Sequence, residues 1–510
     1  MKEIFEGLRP SRRALLAGTA TIAVGSAFGA RAHVYNSPIA EAPEPSDFEA
    51  AFEKGAVEPF RQTRVFRGPR LSLPLIDPEA FSKEGAVPPH IWGIIYEGWQ
   101  PDMEREGVSV FIQSLENRGP DNLRKRYYMS AVTPDLYERH YRPKARRFLD
   151  ALFAPAHAGE PLMRHYYAAY LDLYWDLHVG VSGEDVPEEV RQYGEAFNAI
   201  IGFWDPAKDA VRDSYRTARE RLPFLRRWVD ERVGDVIEGR TANPEATFVH
   251  YWMTNARDEE HFSRTDVVTE CIHNFLALSQ WGNMLYRVMD RLAEDRGDEA
   301  ARESVRATMA GDPESPGENG FTPLDRLVME LFRTLSPNDG SLSTLAVSRE
   351  EEASGLEFII HPHPATSEAG RHWEDPDAFD PGRYAAAPVA AGIDEAHCQR
   401  LGFARCPFSP ARVAVADGRD AALASNGFGT VYPEFGGRPV PLVDTAGYAP
   451  FGFGYRRCAG EFLTVEIFKD LIRKVHGDGI RFVSLGLSEP QSLPVGPLTA
   501  IDDDIGFRRG

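Results

Sequence analysis

A cysteine flanked by glycines and arginines lies near the C-terminus, where residues 449–460 read Ala449-Pro450-Phe451-Gly452-Phe453-Gly454-Tyr455-Arg456-Arg457-Cys458-Ala459-Gly460. The residues that follow, 461–475, carry apolar side chains at helical period. The pattern therefore predicts a cysteine at a helix N-terminus. Unpaired backbone N–H groups and the positive end of the helix dipole stabilise a thiolate there, and a thiolate is a metal ligand or a nucleophile.

The residues around this cysteine suit a bound group that is large and flat. Gly454 and Gly460 let the backbone approach such a group closely. Arg456 offers a fixed charge and a planar donor fork for a carboxylate beside the cysteine, such as a cofactor propionate.

Two upstream motifs bear on the same interpretation. Glu330 and Arg333 stand three residues apart in a predicted helix, a spacing that by itself is common in solvated ion pairs. Residues 375–384 then read Asp375-Pro376-Asp377-Ala378-Phe379-Asp380-Pro381-Gly382-Arg383-Tyr384.

Taken together, these motifs resemble the cytochrome P450 family. The pattern Phe451-x-x-Gly454-x-Arg456-x-Cys458-x-Gly460 matches the whole haem-binding loop of that family, and the other two motifs follow the family's order. The resemblance covers about residues 115–510. It implies a mainly α fold with minor β, as a single large cytochrome P450-like domain.

The resemblance also implies a cofactor and the residues that hold it. The cofactor is haem b, with its iron ligated by the Cys458 thiolate, so that Cys458 is the metal ligand. The other implied cofactor-binding residues are Arg456, Arg126, Phe451, Gly452 and Gly460, and the implied structural triad is Glu330, Arg333 and Arg383. Arg126 is the second candidate for a propionate, although Asn122 stands where the family usually has tryptophan.

The chain departs from the family in the helix expected to cross the distal haem face. Oxygen-activating members carry an acid and an alcohol there, which relay protons to bound dioxygen. Here residues 276–283 read Leu276-Ala277-Leu278-Ser279-Gln280-Trp281-Gly282-Asn283, so Gln280 replaces the acid and Trp281 the alcohol. Gln280, Trp281 and Asn283 are the candidate catalytic residues. A Trp-Gly pair resembles the branch that rearranges fatty-acid hydroperoxides, but that branch has an altered cysteine loop.

Helical period dominates the middle of the chain and supports the same fold class. Apolar residues recur every three or four positions in residues 166–179, 210–236 and 266–292, whereas alternating strand patterns are few and short. Another predicted helix carries Glu330 and Arg333 and ends near Ser336-Pro337, because the residue before proline leaves the helical region.

Composition excludes several classes of protein. Among 510 residues, 77 acidic side chains outnumber 57 lysines and arginines, a net charge of −20 that disfavours nucleic acid as a partner. No apolar run beyond the N-terminus is long enough for a transmembrane helix. The four cysteines lack zinc-site spacing; Cys398 and Cys406 either pair in an oxidising compartment or lie in an ordinary loop.

The first 32 residues read as an export signal. Arg12-Arg13 precede an uncharged stretch of small and apolar residues, and Ala30-Arg31-Ala32 has the form of a cleavage site. This resembles a twin-arginine signal, which carries folded proteins. We therefore expect export, for instance to a periplasm, with residues 33–510 as the haem domain. The alternatives are an uncleaved N-terminal anchor and a cytoplasmic protein.

Three functions remain open at this point. The first is a haem-thiolate oxidoreductase or monooxygenase that acts on a small hydrophobic substrate with an external electron donor. The second is a haem-thiolate enzyme that uses peroxide or rearranges hydroperoxides without a reductase. The third is a non-catalytic haem binder or sensor. The absence of a flavin or iron–sulfur signature means that any reducing electrons come from another protein.

Overall fold

A computed structural model of the chain describes a little over half of its residues. These are residues 39–40, 64–66, 131–203, 209–255, 264–317, 321–335, 341–345, 357–361, 375–385, 434–435, 438–439, 450–451, 458, 460–496 and 499–510.

Helices make up most of this described part. In chain order they are α1 (Pro134–Leu136), α2 (Arg142–Leu152), α3 (Met163–Val179), α4 (Glu188–Phe203), α5 (Asp209–Ile237), α6 (Phe248–Asn255), α7 (Arg264–His273), α8 (Phe275–Leu292), α9 (Glu299–Ala310), α10 (Pro323–Leu335) and α11 (Glu461–Gly477). A π-helical turn, Tyr137–Tyr141, joins α1 to α2. None of the helices in the described ranges is both long and apolar enough to span a bilayer.

The strands are short and pair antiparallel. They are β1 (Ile39–Ala40), β2 (Arg64–Phe66), β3 (Ser341–Leu345), β4 (Glu357–His361), β5 (Glu434–Phe435), β6 (Arg438–Pro439), β7 (Ile480–Ser484), β8 (Ser492–Gly496), β9 (Thr499–Asp502) and β10 (Ile505–Arg509). One sheet has the order β1-β2-β4-β3, and the pairs β7-β10, β5-β6 and β8-β9 form two-stranded ribbons. In the β7-β10 pair Phe482 lies opposite Phe507.

Local sequence explains several helix ends. The α10 helix begins with a reciprocal cap, in which the Thr322 N–H donates to Asp325 Oδ2 (2.9 Å) and the Asp325 N–H donates to Thr322 Oγ1 (3.0 Å). At the start of α9, Asp298 Oδ1 accepts from the Ala300 N–H at 2.8 Å. The α3 helix ends at Gly180, whose φ of +74° is open to glycine without strain.

Four helices, α2, α3, α8 and α11, pack around an aromatic centre. It consists of one side chain from each helix: Phe148, Tyr170, Trp281 and Phe468. Ring centroids are 6.2 Å apart for Phe148–Tyr170, 5.7 Å for Tyr170–Trp281 and 5.3 Å for Trp281–Phe468. Phe148, Tyr170 and Phe468 belong to one hydrophobic core whose members run from Ala131 to Phe507, and Trp281 packs against it.

The predicted fold class, mainly α with minor β, is confirmed. The predicted helices at 166–179 and 210–236 lie within α3 and α5. The helix predicted for 266–292 is instead two helices, α7 and α8, because Asn274 has ψ −5° and the Ala277 N–H donates to the Asn274 carbonyl three residues back.

Candidate cysteine site

Cys458 lies three residues before the first residue of α11 and is half-buried. Its backbone N–H donates to the carbonyl of Phe451 at 2.9 Å, so these two residues, seven apart in the chain, lie next to each other. Gly460 is the N-cap residue of α11, and no side chain caps this helix end. The sulfur therefore lies at the positive end of a helix of 17 residues, where a negative charge is favoured.

Phe451 fixes the other end of the segment. Its side chain is buried, and its ring centroid lies 4.8 Å from that of Phe332 on α10. Phe332 in turn contacts Phe468 of α11 edge-on, at 5.2 Å. This packing ties the segment that ends in Cys458 to both α10 and α11.

Gly460 leaves space next to the sulfur. Among the described residues, a Cβ atom added to Gly460 would meet only Cys458 Sγ, at 3.8 Å, within a 4 Å radius. The backbone at Gly460 has φ −88° and ψ 6°, so no left-handed conformation requires glycine here. Its small size is therefore the property that keeps the space beside the sulfur open.

Two side chains of α10 meet two side chains of the segment 375–385 in the interior of the protein. We call this group the Glu330 cluster; it consists of Glu330, Arg333, Arg383 and Tyr384. Glu330 and Arg333 form a bidentate pair with both N–O distances at 2.8 Å. Arg383 Nε donates to Glu330 Oε1 at 3.1 Å, and the Tyr384 hydroxyl donates to Oε2 at 3.0 Å. Glu330 and Arg333 are 0% and 1% exposed.

The Glu330 cluster extends to the backbone of residues 375–385. The Asp380 N–H donates to Glu330 Oε1 at 3.0 Å, and the Ala378 carbonyl accepts from both Arg333 and Arg383. Burial alone would lower the pKa of Arg333, but the hydrogen bond and charge of Glu330 outweigh it and raise this pKa. The structure thus brings together the three residues of the expected triad, and it adds Tyr384.

The helix expected on the distal side, α8, directs Trp281 into the bundle. The Trp281 indole N–H donates to Thr464 Oγ1 of α11 at 3.0 Å, and its ring contacts Phe148, Tyr170 and Phe468. Neighbouring Gly282 is buried against Tyr166, where an added Cβ would approach Tyr166 Cε1 to 2.9 Å. Trp281 is therefore a packing residue that links α8 to the helix after Cys458.

Gln280 and Asn283 differ from Trp281 in their surroundings. Gln280 is partly exposed, whereas Asn283 is 1% exposed and accepts at Oδ1 from Arg287 Nε (3.0 Å). Arg287 also donates to the Leu335 carbonyl at the end of α10, at 2.6 Å. Asn283 therefore takes part in the α8–α10 contact, whereas Trp281 takes part in the α8–α11 contact.

Tyr170 of α3 packs against the candidate site through Trp281, at 5.7 Å between ring centroids. Burial raises the pKa of its hydroxyl, and the charge of Cys458 raises it further. Sequence pattern offered no signal for it, because a tyrosine among the tyrosines of α3 reads as ordinary core.

Several expected residues lie outside the described part of the chain. These are Arg456, Gly452, Arg126, Cys398, Cys406 and the signal at residues 1–32. Cys271 is described, and it is fully buried in α7, where burial raises the pKa of its thiol. In the described ranges, no group of three or more His, Cys, Asp or Glu side chains is arranged to hold a metal ion.

Sequence comparison finds no relative: no family model matches the chain, and no curated protein matches it.

Among the solved structures to which the chain is distantly similar are several cytochromes P450. A cyanobacterial CYP120A1 with bound retinoic acid has 12% identity and a TM-score of 0.48, over 76% of this chain and 78% of that one. A mutant of cytochrome P450SP alpha has 13% identity and a TM-score of 0.47, over 86% and 88%. Cytochrome P450EX alpha with myristic acid has 14% identity and a TM-score of 0.43, over 76% and 77%.

Proposed function

We propose that the protein is a haem-thiolate oxidoreductase of the cytochrome P450 type, which binds haem iron through Cys458 and acts on a small hydrophobic substrate. The observation that carries the proposal is the position of Cys458. Cys458 belongs to a stretch, residues 451–460, that matches the whole haem-binding loop. It lies half-buried just before the N-terminus of α11. A structural cysteine has no need of that position.

The described residues fit a haem at this point. Gly460 leaves open the space next to the sulfur, and Phe451 anchors the start of the loop in the core. A bound haem would supply an iron to which the thiolate donates electron density, the chemistry that favours cleavage of an O–O bond.

The chain's own residues have three tasks in this proposal. The N-terminus of α11 holds the sulfur as a thiolate, since the helix dipole favours negative charge there. The Glu330 cluster fixes the segment 375–385 against α10, and Phe332 of α10 holds Phe451. Trp281 fixes α8 relative to α11. Arg456 and Arg126 remain our candidates for the propionates.

The test is the absorption spectrum of the haem-loaded protein. We expect the reduced carbon monoxide complex to absorb at the long wavelength typical of thiolate ligation. Cys458→Ala should abolish that band, whereas Cys271→Ala, which removes a buried thiol elsewhere, should keep it. Retention of the band in Cys458→Ala would refute the ligand assignment.

A second candidate, favoured by one observation, is a haem-thiolate enzyme that takes its oxidant as a peroxide or hydroperoxide. The indole N–H of Trp281 donates a hydrogen bond to Thr464 inside the bundle, so this position supplies no alcohol for a proton relay. The amide of Gln280 does not titrate, so that position supplies no acid. A substrate that brings its own O–O bond needs no such relay and no reductase.

Turnover of lipid hydroperoxides separates the two candidates. Product formed from a hydroperoxide panel with no reductase would support the second candidate. Activity that requires a reductase and dioxygen would support the first. A haem-loaded protein with neither activity would instead be a haem binder or sensor, and would contradict both.

Export remains a proposal that rests on the sequence alone. Residues 1–32 carry the twin-arginine-like pattern, and a protein that gains its cofactor before export suits that route. Replacement of Arg12 and Arg13 by lysine should keep the protein in the cytoplasm. Export of this variant at the normal level would refute the proposal.

A further inference from the structure

The helix at the centre of the bundle, α3, is rich in oxidisable rings. Five of its 17 residues are tyrosine or tryptophan: Tyr166, Tyr167, Tyr170, Tyr174 and Trp175. Indole and phenol rings can give up a single electron, whereas phenylalanine and the aliphatic side chains do not do so under the same conditions. A core that only has to be filled needs no such rings, because leucine and phenylalanine pack there without a polar atom.

Three of these rings join the centre of the protein to α5 in a continuous series. From the centre outwards, the centroid distances are 5.7 Å for Trp281–Tyr170, 6.3 Å for Tyr170–Tyr174, 5.0 Å for Tyr174–Trp175 and 4.9 Å for Trp175–Trp228. All four distances fall in the range of about 4.5–7 Å at which aromatic rings contact each other. We call these five side chains the aromatic chain.

The inner end of the aromatic chain is bonded to the first turn of α11. The Trp281 indole N–H donates to Thr464 Oγ1 at 3.0 Å, and the Thr464 N–H donates to the Gly460 carbonyl at 3.0 Å. Gly460 follows Cys458 by two residues. Trp281 is therefore the member of the aromatic chain that hydrogen bonds connect to the segment of Cys458.

The outer end of the aromatic chain lies at the protein surface. Trp228 of α5 is 8% exposed, and the side chains of Arg227 and Asp230 beside it are exposed. Tyr174 and Trp175, in contrast, are 3% and 0% exposed. Among the described rings, Trp175 is the one that contacts Trp228, so an electron that moves from ring to ring between Trp228 and the interior passes through Trp175.

Trp175 also has a feature that packing alone does not explain. Its indole N–H is buried and, within the described part of the chain, donates to no acceptor. An unpaired buried donor destabilises the folded state, and phenylalanine would fill the same space without one. An oxidisable ring at this position has a use if electrons pass through it.

We propose that the aromatic chain carries electrons from Trp228 to the Cys458 site, so that a small one-electron reductant, such as ascorbate or a phenol, is oxidised at the protein surface. The inference rests on the proposed function, because a peroxide has to be reduced at the Cys458 site. There the peroxide ROOH accepts two electrons and two protons and leaves as ROH and water. Two molecules of reductant each lose one electron and one proton at the surface. The protein would thus discharge oxidising equivalents that no substrate has consumed.

Peroxide treatment of the haem-loaded full chain tests this, with peptide mass spectrometry as the readout. Without substrate or reductant, oxidation products should accumulate on Trp228, and ascorbate should suppress them. Trp175→Phe should lose most of the Trp228 oxidation, because phenylalanine interrupts the aromatic chain. Direct attack of peroxide on the exposed edge of Trp228 would not depend on Trp175, so equal oxidation of Trp228 in the two proteins would overturn the proposal.

Trp252→Phe is the matched control. Trp252 is also a fully buried tryptophan, and its ring contacts Phe248 and His178, which do not belong to the aromatic chain. This variant should show the wild-type oxidation of Trp228, and a loss as large as in Trp175→Phe would overturn the proposal. If Trp175→Phe does not fold, Tyr174→Phe takes its place and should also lower the oxidation of Trp228; unchanged oxidation would again overturn the proposal.

A light-driven experiment on the haem-free full chain separates this inference from the proposed function. With Cys398 and Cys406 replaced by alanine and Cys271 fully buried, a ruthenium photo-oxidant is attached to Cys458. Light and a cobalt(III) acceptor remove one electron from the ruthenium, which should then draw an electron from Trp228 while the indole proton passes to water. Trp228 oxidation that requires Trp175 is expected even if the chain binds no haem. Absence of this oxidation, or its persistence in Trp175→Phe, would overturn the inference whatever the haem does.

Discussion

At the scale of single residues, Glu330 determines how segment 375–385 is held. Its two carboxylate oxygens accept from two arginines, one tyrosine hydroxyl and one backbone N–H, all within 3.1 Å. A carboxylate with this many charge-assisted bonds satisfies two guanidinium groups that would otherwise be buried without a counterion.

Glu330→Gln should therefore be severely destabilising. It leaves Arg333, which is 1% exposed, next to a neutral amide, and loss of one partner in a buried pair costs about 3–5 kcal/mol. Urea unfolding of the full chain measures the change. Glu299→Gln is the control, because Glu299 pairs with Arg302 and Arg306 at the exposed surface, where loss of an ion pair should have little effect on unfolding. Similar losses in both variants would contradict the structural role of Glu330.

Gly460→Ala tests the space beside the sulfur. The added methyl would make an ordinary contact with Cys458 Sγ at 3.8 Å, so the free energy of unfolding should change by about 1 kcal/mol or less. Haem loading should fall at least about tenfold, because the methyl enters the space next to the ligand atom.

Gly477→Ala is the control for this prediction. It lies in the last position of the same helix, and an added Cβ there meets no atom within 4 Å. It should load haem like the wild type. Normal loading of Gly460→Ala would show that haem does not occupy this space.

At the scale of secondary structure, the sequence predicts features that neighbouring residues determine. It does not predict features that depend on residues far away along the chain. Apolar residues at helical period predicted α3 and α5, and Pro337 marked the end of α10. The cap of α3 could not be predicted. Asp503, 340 residues from Met163, accepts from the backbone N–H groups of Met163 and Arg164 at 2.9 and 3.0 Å. No local pattern contains such a bond.

The candidate site shows the same division. Glu330, Arg333 and Arg383 were identified by motif, and motif spacing is a local property. Trp281 was assigned to the distal face by its position in the pattern, yet its surroundings are set by Thr464, 183 residues away. Tyr170 was not selected at all, since its contact with Trp281 arises only when α3 and α8 pack together.

The Trp281–Thr464 bond should be measurable as a coupling between α8 and α11. Trp281→Phe and Thr464→Val each remove one partner, and a double-mutant cycle on urea unfolding should give a coupling of about 1 kcal/mol. Thr464→Ser keeps the hydroxyl and should retain the coupling to Trp281. A coupling near zero would mean that the two helices are not held together by this bond.

At the scale of the whole molecule, stability should depend on pH through His178. This side chain is fully buried in α3; its Nδ1 lies 2.8 Å from the Tyr174 carbonyl, and its ring is stacked on Tyr174 at 4.0 Å. Burial lowers its pKa from 6.5 to about 4; the Tyr174 carbonyl opposes this shift and the charge of Lys144 adds to it. The unfolded chain therefore binds a proton between these two pH values that the folded chain does not.

The sign of the effect follows from linkage. Neutral His178 contributes its full stability above pH 6.5, and that contribution is lost as pH falls towards 4, a change of about 3 kcal/mol. Asp503 and Glu466 act in the opposite direction, because burial raises their pKa and favours the folded state at low pH. The net curve mixes these groups, so the contribution of His178 must be measured as a difference between variants.

His178→Gln and His178→Phe provide that difference, since neither side chain titrates. Both variants remove a fitted side chain and should be less stable than the wild type near neutral pH. As pH falls from 6.5 to 4, the free energy of unfolding of the wild type should drop by about 3 kcal/mol relative to that of each variant. The drop should be the same relative to both variants. Urea unfolding at a series of pH values gives this result directly. If neither stability difference changed with pH, solvent would reach His178. The part of α3 that carries His178 would then not be packed in the core as its contacts with Phe248 and Trp252 require.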